Sequence, residues 1–247
     1  MGLAMLKGMC VGLALVLGTV SLAKAVEAPS TAPAQAAPRQ TIIPKAGAYD
    51  YLTLALSWSP TFCVSSSGHA DREQCGGTNK YGFVAHGLWP VFPRGAGSAA
   101  KGCGGDSSSL TDKSAEKVRG IMPSRKLVNH EWEKHGTCFG GDAANYFGKV
   151  RTAWDKVKVP QKFKSPSQES KMTADQIRKA FIEANPTIPS TALAVTCQRP
   201  RGKGLPAERP LMLKEVRICL DKDLNFKACG TQVKDRCASE ALVPPVR

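Results

Sequence analysis

Eight cysteines downstream of residue 25 limit this chain more than any other feature. The sequence holds nine, and the ninth, Cys10, lies in a segment that is not expected to survive. Lys7 precedes an apolar run from Val11 to Val20, and Ala23-Lys24-Ala25 places small residues at both positions of a cleavage site. That is the pattern of a secretory signal peptide, residues 1–25, cut after Ala25. A retained anchor is the weaker reading, because the run is short for a span of about 20 residues. Cys10 stands at the start of the apolar run and not at its end, so a lipid-anchored form is not expected either. An even number of cysteines in an exported chain implies disulfides. Zinc ligands or free core thiols are the alternative, weakened by the absence of any C-x-x-C pair.

Export also sets the charge balance. The full chain carries a formal +14, and losing Lys7 and Lys24 leaves +12. Such a surplus favours polyanionic partners, nucleic acid or an anionic membrane surface, although many exported proteins are basic for solubility alone. Residues 26–47 are rich in Pro and Ala without apolar periodicity, and are expected to be a linker. The folded domain is expected over 48–247, a length that can bury one full core.

Within it, alternation predicts strands at 49–58, 81–88 and 191–197, and a hairpin pairing 213–221 with 224–230. Helices are predicted at 112–121, 124–135, 142–158 and 173–185, the last capped by Thr173 and stopped before Pro186. Strands and helices mix without regular βαβ alternation, so the fold class is α+β. A Gly/Ser/Ala-rich stretch between 93 and 109 is expected to be a surface loop pinned by Cys103.

The stretch HEWEKHGTC, residues 130–138, comes close to the zinc-protease signature H-E-x-x-H, but His130 and His135 are five apart. On a helical wheel of about 100° per residue, His130, Lys134, Glu131 and His135 share one arc roughly 140° wide. Two histidines at opposite ends of that arc cannot easily share an ion, and the Lys134 ammonium between them repels a cation. A solvated charged face is the plain alternative. Trp132 falls beside Val128 on the core-facing side. A second histidine, His86, closes the apolar strand of GFVAHGLWP, residues 82–90.

Together HGLWP and HEWEKHGTC resemble the two signature segments of the ribonuclease T2 family of acid endoribonucleases, in a bacterial-type exported form. The likeness extends more loosely over 50–238, through LALSWSPTFC and MPSRKLVNHEW. It implies a mainly antiparallel central sheet flanked by helices and stapled by disulfides. It implies an endoribonuclease that needs no metal and no cofactor, and that uses the substrate's 2′-OH as nucleophile. The first products are then 2′,3′-cyclic phosphates and the later ones 3′-phosphates. Such chemistry needs one group to take a proton and another to give one, a task suited to two imidazoles.

By the resemblance His135 is the general base and His86 the general acid. Glu131 and Lys134 support the transition state, and His130 binds the substrate phosphate. Trp89 walls a base pocket by stacking, with a core aromatic as the plain alternative. Many family members carry an acidic residue after the proline of the first motif; here it is Val91, so little base specificity is expected. The basic loop with Arg199, Arg201, Lys203 and Arg209 is read equally well as a phosphate contact or as solvated surface. The eight cysteines allow 105 pairings in principle. The resemblance narrows them to Cys63–Cys75, Cys103–Cys138, Cys197–Cys237 and Cys219–Cys229. The expected partner is RNA, met by a monomer in the periplasm or outside the cell. The only N-x-T match, Asn185-Pro186-Thr187, is blocked by its proline, which favours a bacterial envelope. A non-catalytic, RNA-binding or cytotoxic relative of the same fold is the alternative.

Overall fold

The computed structural model describes residues 44–93, 102–104, 107–199 and 209–246. The expected signal peptide, nearly all of the Pro/Ala-rich segment, and Arg201 and Lys203 lie outside the described residues. The fold is α+β. Its strands are β1 (Tyr51–Trp58), β2 (Phe83–Val91), β3 (Ser170–Met172), β4 (Leu193–Gln198), β5 (Met212–Leu220) and β6 (Ala241–Val243). Three short helices follow β1: α1 (Ser59–Cys63), α2 (Ser66–His69) and α3 (Arg72–Cys75). After β2 come α4 (Asp112–Glu116), α5 (Arg125–Lys134) and α6 (Ala143–Asp155), and α7 (Ala174–Ala184) precedes β4.

β5 is the centre of the sheet. It pairs antiparallel with β1 on one edge and with β4 on the other, and β2 lies outside β1. β5 also meets β6 in a single parallel contact, Met212 with Leu242, and β6 pairs antiparallel with β3. One face of the sheet carries Leu52, Leu54, Leu56, Leu88, Val216 and Ile218, all fully buried. Against it pack Val128 and Trp132 of α5, Tyr146 and Phe147 of α6, and Ile177 and Phe181 of α7. Burying side chains of this size stabilises the fold by roughly 1.5–3 kcal/mol each. The opposite face carries Thr53, Ala55 and Ser57 of β1 opposite Arg217 and its neighbours on β5, with Trp89 of β2 beside Thr53.

The predicted helices form with side-chain caps, the expected one at Thr173 among them. Ser124 accepts from the Leu127 N–H at the start of α5, and Thr173 with Gln176 makes a full capping box on α7. The helix expected over 112–121 stops at Glu116, and its chain turns at Gly120, which sits at φ 79°. The expected hairpin is reduced to one bridge, Leu220 with Phe226. Both edges of β5 are already taken by β1 and β4, so a further strand has no ladder to join. The segment instead folds back through a turn in which the Asp221 carboxylate accepts from the N–H groups of Asp223 and Asn225. Four disulfides, Cys63–Cys75, Cys103–Cys138, Cys197–Cys237 and Cys219–Cys229, staple the surface segments to this frame.

Candidate active site

The site begins with an irregularity in β2. Ala55 of β1 opposes Gly87 and the next residue, Leu56, opposes Ala85, so His86 has no partner in the ladder. It is the extra residue of a β-bulge, and a bulge re-aims side chains. Strand alternation places Ala85 and Leu88 on the core face with Leu56 and Leu54. The added residue lets His86 and Trp89, three apart, share the opposite face, which a regular strand forbids. A second bulge lies in β5: Thr196 opposes Glu215 and Cys197 opposes Leu213, leaving Lys214 unpaired.

α5 supplies the other half. Its preceding segment is tied to β2, the Ala85 N–H donating to the Ile121 carbonyl at 2.9 Å. Val128 and Trp132 then turn into the core, as their positions on the wheel require. Glu131 is not solvated, as a charged face would have it; its side chain is 1% exposed. It reaches over Gly87, whose missing side chain makes the space: a Cβ there would lie 2.0 Å from Glu131 Oε2. His130 is exposed, and Lys134 and His135 are half-buried. His135 is no longer on the helical spiral, since its φ and ψ of −125° and −41° end α5. The helix stops there because Gly136 must press against Trp132, where a Cβ would come within 2.1 Å of the indole. Close approach, and not a left-handed conformation, is what that glycine provides.

Three rings line up across the site. Trp89 stacks on His135 at 5.2 Å between centroids and meets His86 edge-on at 5.1 Å. Half-buried on the site face, it is not a core aromatic. Its indole N–H donates to Glu131 Oε2 at 2.7 Å, while Glu131 Oε1 lies 3.4 Å from His86 Nε2. On the far side of the ring, His86 Nδ1 is 2.9 Å from Glu215 Oε1. Arg217 grips Glu215 Oε2 with its Nε at 3.0 Å and a terminal nitrogen at 2.8 Å, and lays its guanidinium over Trp89. Lys214 Nζ stands 3.4 Å from Glu215 Oε1.

Sequence reasoning did not single out Glu215, Arg217 or Lys214. The signal was there, in LKEVRICL: a Glu and an Arg two apart alternate with buried Val216 and Ile218. On one strand that pattern is equally that of an exposed ion pair, and only the register against β1 and β2 brings it under His86.

The two imidazoles are driven in opposite directions. Burial would lower His86, but its bond to Glu215 and the charges of Glu131 and Glu215 outweigh that and raise it. His135 is pushed down to about 3 by burial first, then by His86, His130 and Lys134. Burial and the charges of His86 and Lys134 also lower His130. Glu131 rises to about 7, chiefly from burial, despite the pull of His86 and Trp89. Burial would raise Glu215 too, yet His86, Lys214 and Arg217 hold it well below the usual carboxylate range. Among the described residues no group of three or more His, Cys, Asp or Glu side chains is placed to hold a metal ion.

His86 and His135 open onto different clefts. One, of about 300 Å³, is walled by Val84, His86, Leu127, His130 and Lys214. The other, of about 260 Å³, is walled by Trp89, Val91, Phe92, His135 and Arg217.

A family model described as the Ribonuclease T2 family matches residues 49–229. A ribonuclease of Aeromonas hydrophila is 35% identical over 197 residues, covering 78% of this chain and 81% of the relative. Ribonuclease I of Escherichia coli is 27% identical, covering 72% of this chain and 77% of its own. Among solved structures, ribonuclease MC1 from bitter gourd seeds superposes with a TM-score of 0.57 at 18% identity, over 78% of this chain and 99% of that one. At that identity the likeness concerns the fold.

Proposed function

From the premise that this chain belongs to the ribonuclease T2 family and is an endoribonuclease, we propose that it cleaves single-stranded RNA without metal, by attack of the substrate's own 2′-OH. The observation that carries this reading is the opposed displacement of two imidazoles on either side of one indole. A pair of titrating groups driven apart is how one site holds an acid and a base at the same pH. His135, neutral above about pH 3, takes the proton of the 2′-OH. The 2′-oxygen bonds to phosphorus, and the bond to the 5′-oxygen breaks as His86 gives that oxygen its proton. The product is a 2′,3′-cyclic phosphate. Water then attacks with the roles of the two rings exchanged, leaving a 3′-phosphate. Lys134 offsets the charge gathering on the phosphoryl oxygens, Glu131 supports the transition state beside His86, and exposed His130 binds phosphate.

The two clefts suit nucleosides flanking the scissile phosphate. Val91 and Phe92 give the cleft beside Trp89 an apolar wall where a carboxylate would bond to a base edge, which supports cleavage with little base preference. The complete constellation comes from a single chain, which supports a monomer as the working unit. Four disulfides support export to the periplasm or beyond. The decisive experiment treats purified protein with EDTA and offers RNA beside the matching deoxy-oligonucleotide. RNA should be cut and the first product should be one water lighter than the 3′-phosphate; DNA should be untouched. Activity lost in chelator and restored by a divalent ion would overturn the reading.

A further inference from the structure

The buried charge left over from that chemistry is Glu215. Its side chain has no exposure, and it sits in the middle of the sheet. A buried carboxylate is costly, and a pair of apolar residues of similar volume often serves stability as well or better. Glu215 is instead surrounded by cations on three sides: Arg217 on one oxygen, Lys214 and His86 on the other. The contacts close on themselves. Glu215 bonds His86, His86 faces Glu131, Glu131 accepts from Trp89, and Trp89 lies under Arg217, which returns to Glu215. His86 is the only ring in this circuit with nitrogens on two different carboxylates.

We propose that Glu215 is a positioning residue for His86: clamped by Arg217 and Lys214, it takes the Nδ1–H of the ring and so commits the Nε2–H to the departing 5′-oxygen. A neutral imidazole carries one proton, and the partner of one nitrogen decides which nitrogen holds it. With Glu215 as acceptor, Nδ1 keeps its hydrogen in both protonation states. The proton lost and regained in each cycle is then the one on Nε2, on the side of Glu131 and the substrate. His86 is also faced by Glu131 and His130 from α5 and by His135 from the turn beyond it. Those groups remain in place when Glu215 is changed. The proposal rests on His86 being the general acid, and the test separates the two ideas.

Glu215→Gln keeps the shape and removes the charge. Two substrates are compared: a dinucleotide, whose 5′-alkoxide must be protonated to leave, and a nucleoside 3′-(4-nitrophenyl phosphate), whose nitrophenolate leaves unaided. The variant should lose on the order of 10–100-fold in kcat on the dinucleotide, as misplacement of a catalytic group costs. It should lose little on the nitrophenyl ester, with KM nearly unchanged on both. The alkaline limb of its dinucleotide pH profile should move to lower pH. Equal losses on both substrates would mean that Glu215 merely supports the fold, and would overturn the proposal. His86→Ala is the control: if it too loses equally on both, the assignment of His86 as acid fails, whatever Glu215 does. Should Glu215→Gln not fold, nitrogen NMR of the unmutated protein decides. A neutral His86 with its hydrogen on Nδ1 supports the proposal, and one with its hydrogen on Nε2 overturns it.

Discussion

Replacing Gly87 by alanine adds one carbon and two hydrogens, and should nearly abolish activity. The backbone there does not require glycine, since Gly87 is not among the residues with positive φ. The obstacle is volume. The new Cβ would lie 2.0 Å from Glu131 Oε2 and 2.7 Å from Trp89 Nε1, the two atoms joined by the hydrogen bond of 2.7 Å. To restore ordinary contact at 3.4 Å the carboxylate oxygen must retreat by about 1.4 Å. Glu131 has nowhere to go, being buried between His86 and the core. Overpacking of this kind costs about 1–3 kcal/mol. Breaking a charged, buried hydrogen bond adds roughly 1.5–3 kcal/mol. A displacement of about 1 Å in a catalytic group costs on the order of 10² in rate. Urea denaturation and kcat/KM on a dinucleotide measure both effects. A variant within threefold of the parent in kcat/KM, and equally stable, would refute the claim that this glycine makes room for Glu131.

The kcat/KM profile should be a broad bell, extended at both limbs. His135 stays deprotonated, and so able to act as base, until pH falls towards about 3. His86 stays protonated to a pH above its ordinary value, because its pKa is raised. Initial rates from pH 3 to 9 check this, and a profile with its acid limb near neutrality would contradict the assignment of His135. Lys134→Ala should cost roughly 3 kcal/mol of transition-state binding, read as a fall in kcat/KM with an unchanged melting temperature. Replacing Cys103 and Cys138 together by alanine opens a loop of 35 residues in sequence. That should lower stability by about 4 kcal/mol on the chain-entropy scale, measured in urea. Trp132→Ala removes a core side chain only 1% exposed. It should destabilise by about 3–5 kcal/mol and reduce activity only in proportion to the unfolded fraction under assay conditions.

Helices were legible where a cap and an apolar stripe agreed. Val128 and Trp132 marked the inward side of α5, and Thr173 and Pro186 bounded α7. The hairpin after β5 was misjudged, because alternation says that a segment can pair but not whether an edge is free. Within the site, the wheel correctly sent Trp132 inward. It could not foresee that Glu131 is covered, since the covering comes from β2, far away in sequence. Glu215 and Arg217 were invisible for the same reason. Their place beneath His86 depends on the register of three strands, and no local pattern encodes that register. The family motifs led to the histidines because they state the outcome of that register without its cause.

The bulge makes His86 the one residue of β2 that the ladder with β1 does not use. Swapping His86 for another residue removes an imidazole and leaves the ladder alone. Deleting it would let Gly87 follow Ala85 in step with β1, and the alternation downstream would be kept. Leu88 would stay on the core face opposite Leu54, and Trp89 would stay opposite Thr53 on the other face. The sheet would thus close without the imidazole on which the proposed chemistry depends. The extra residue serves the site and not the strand.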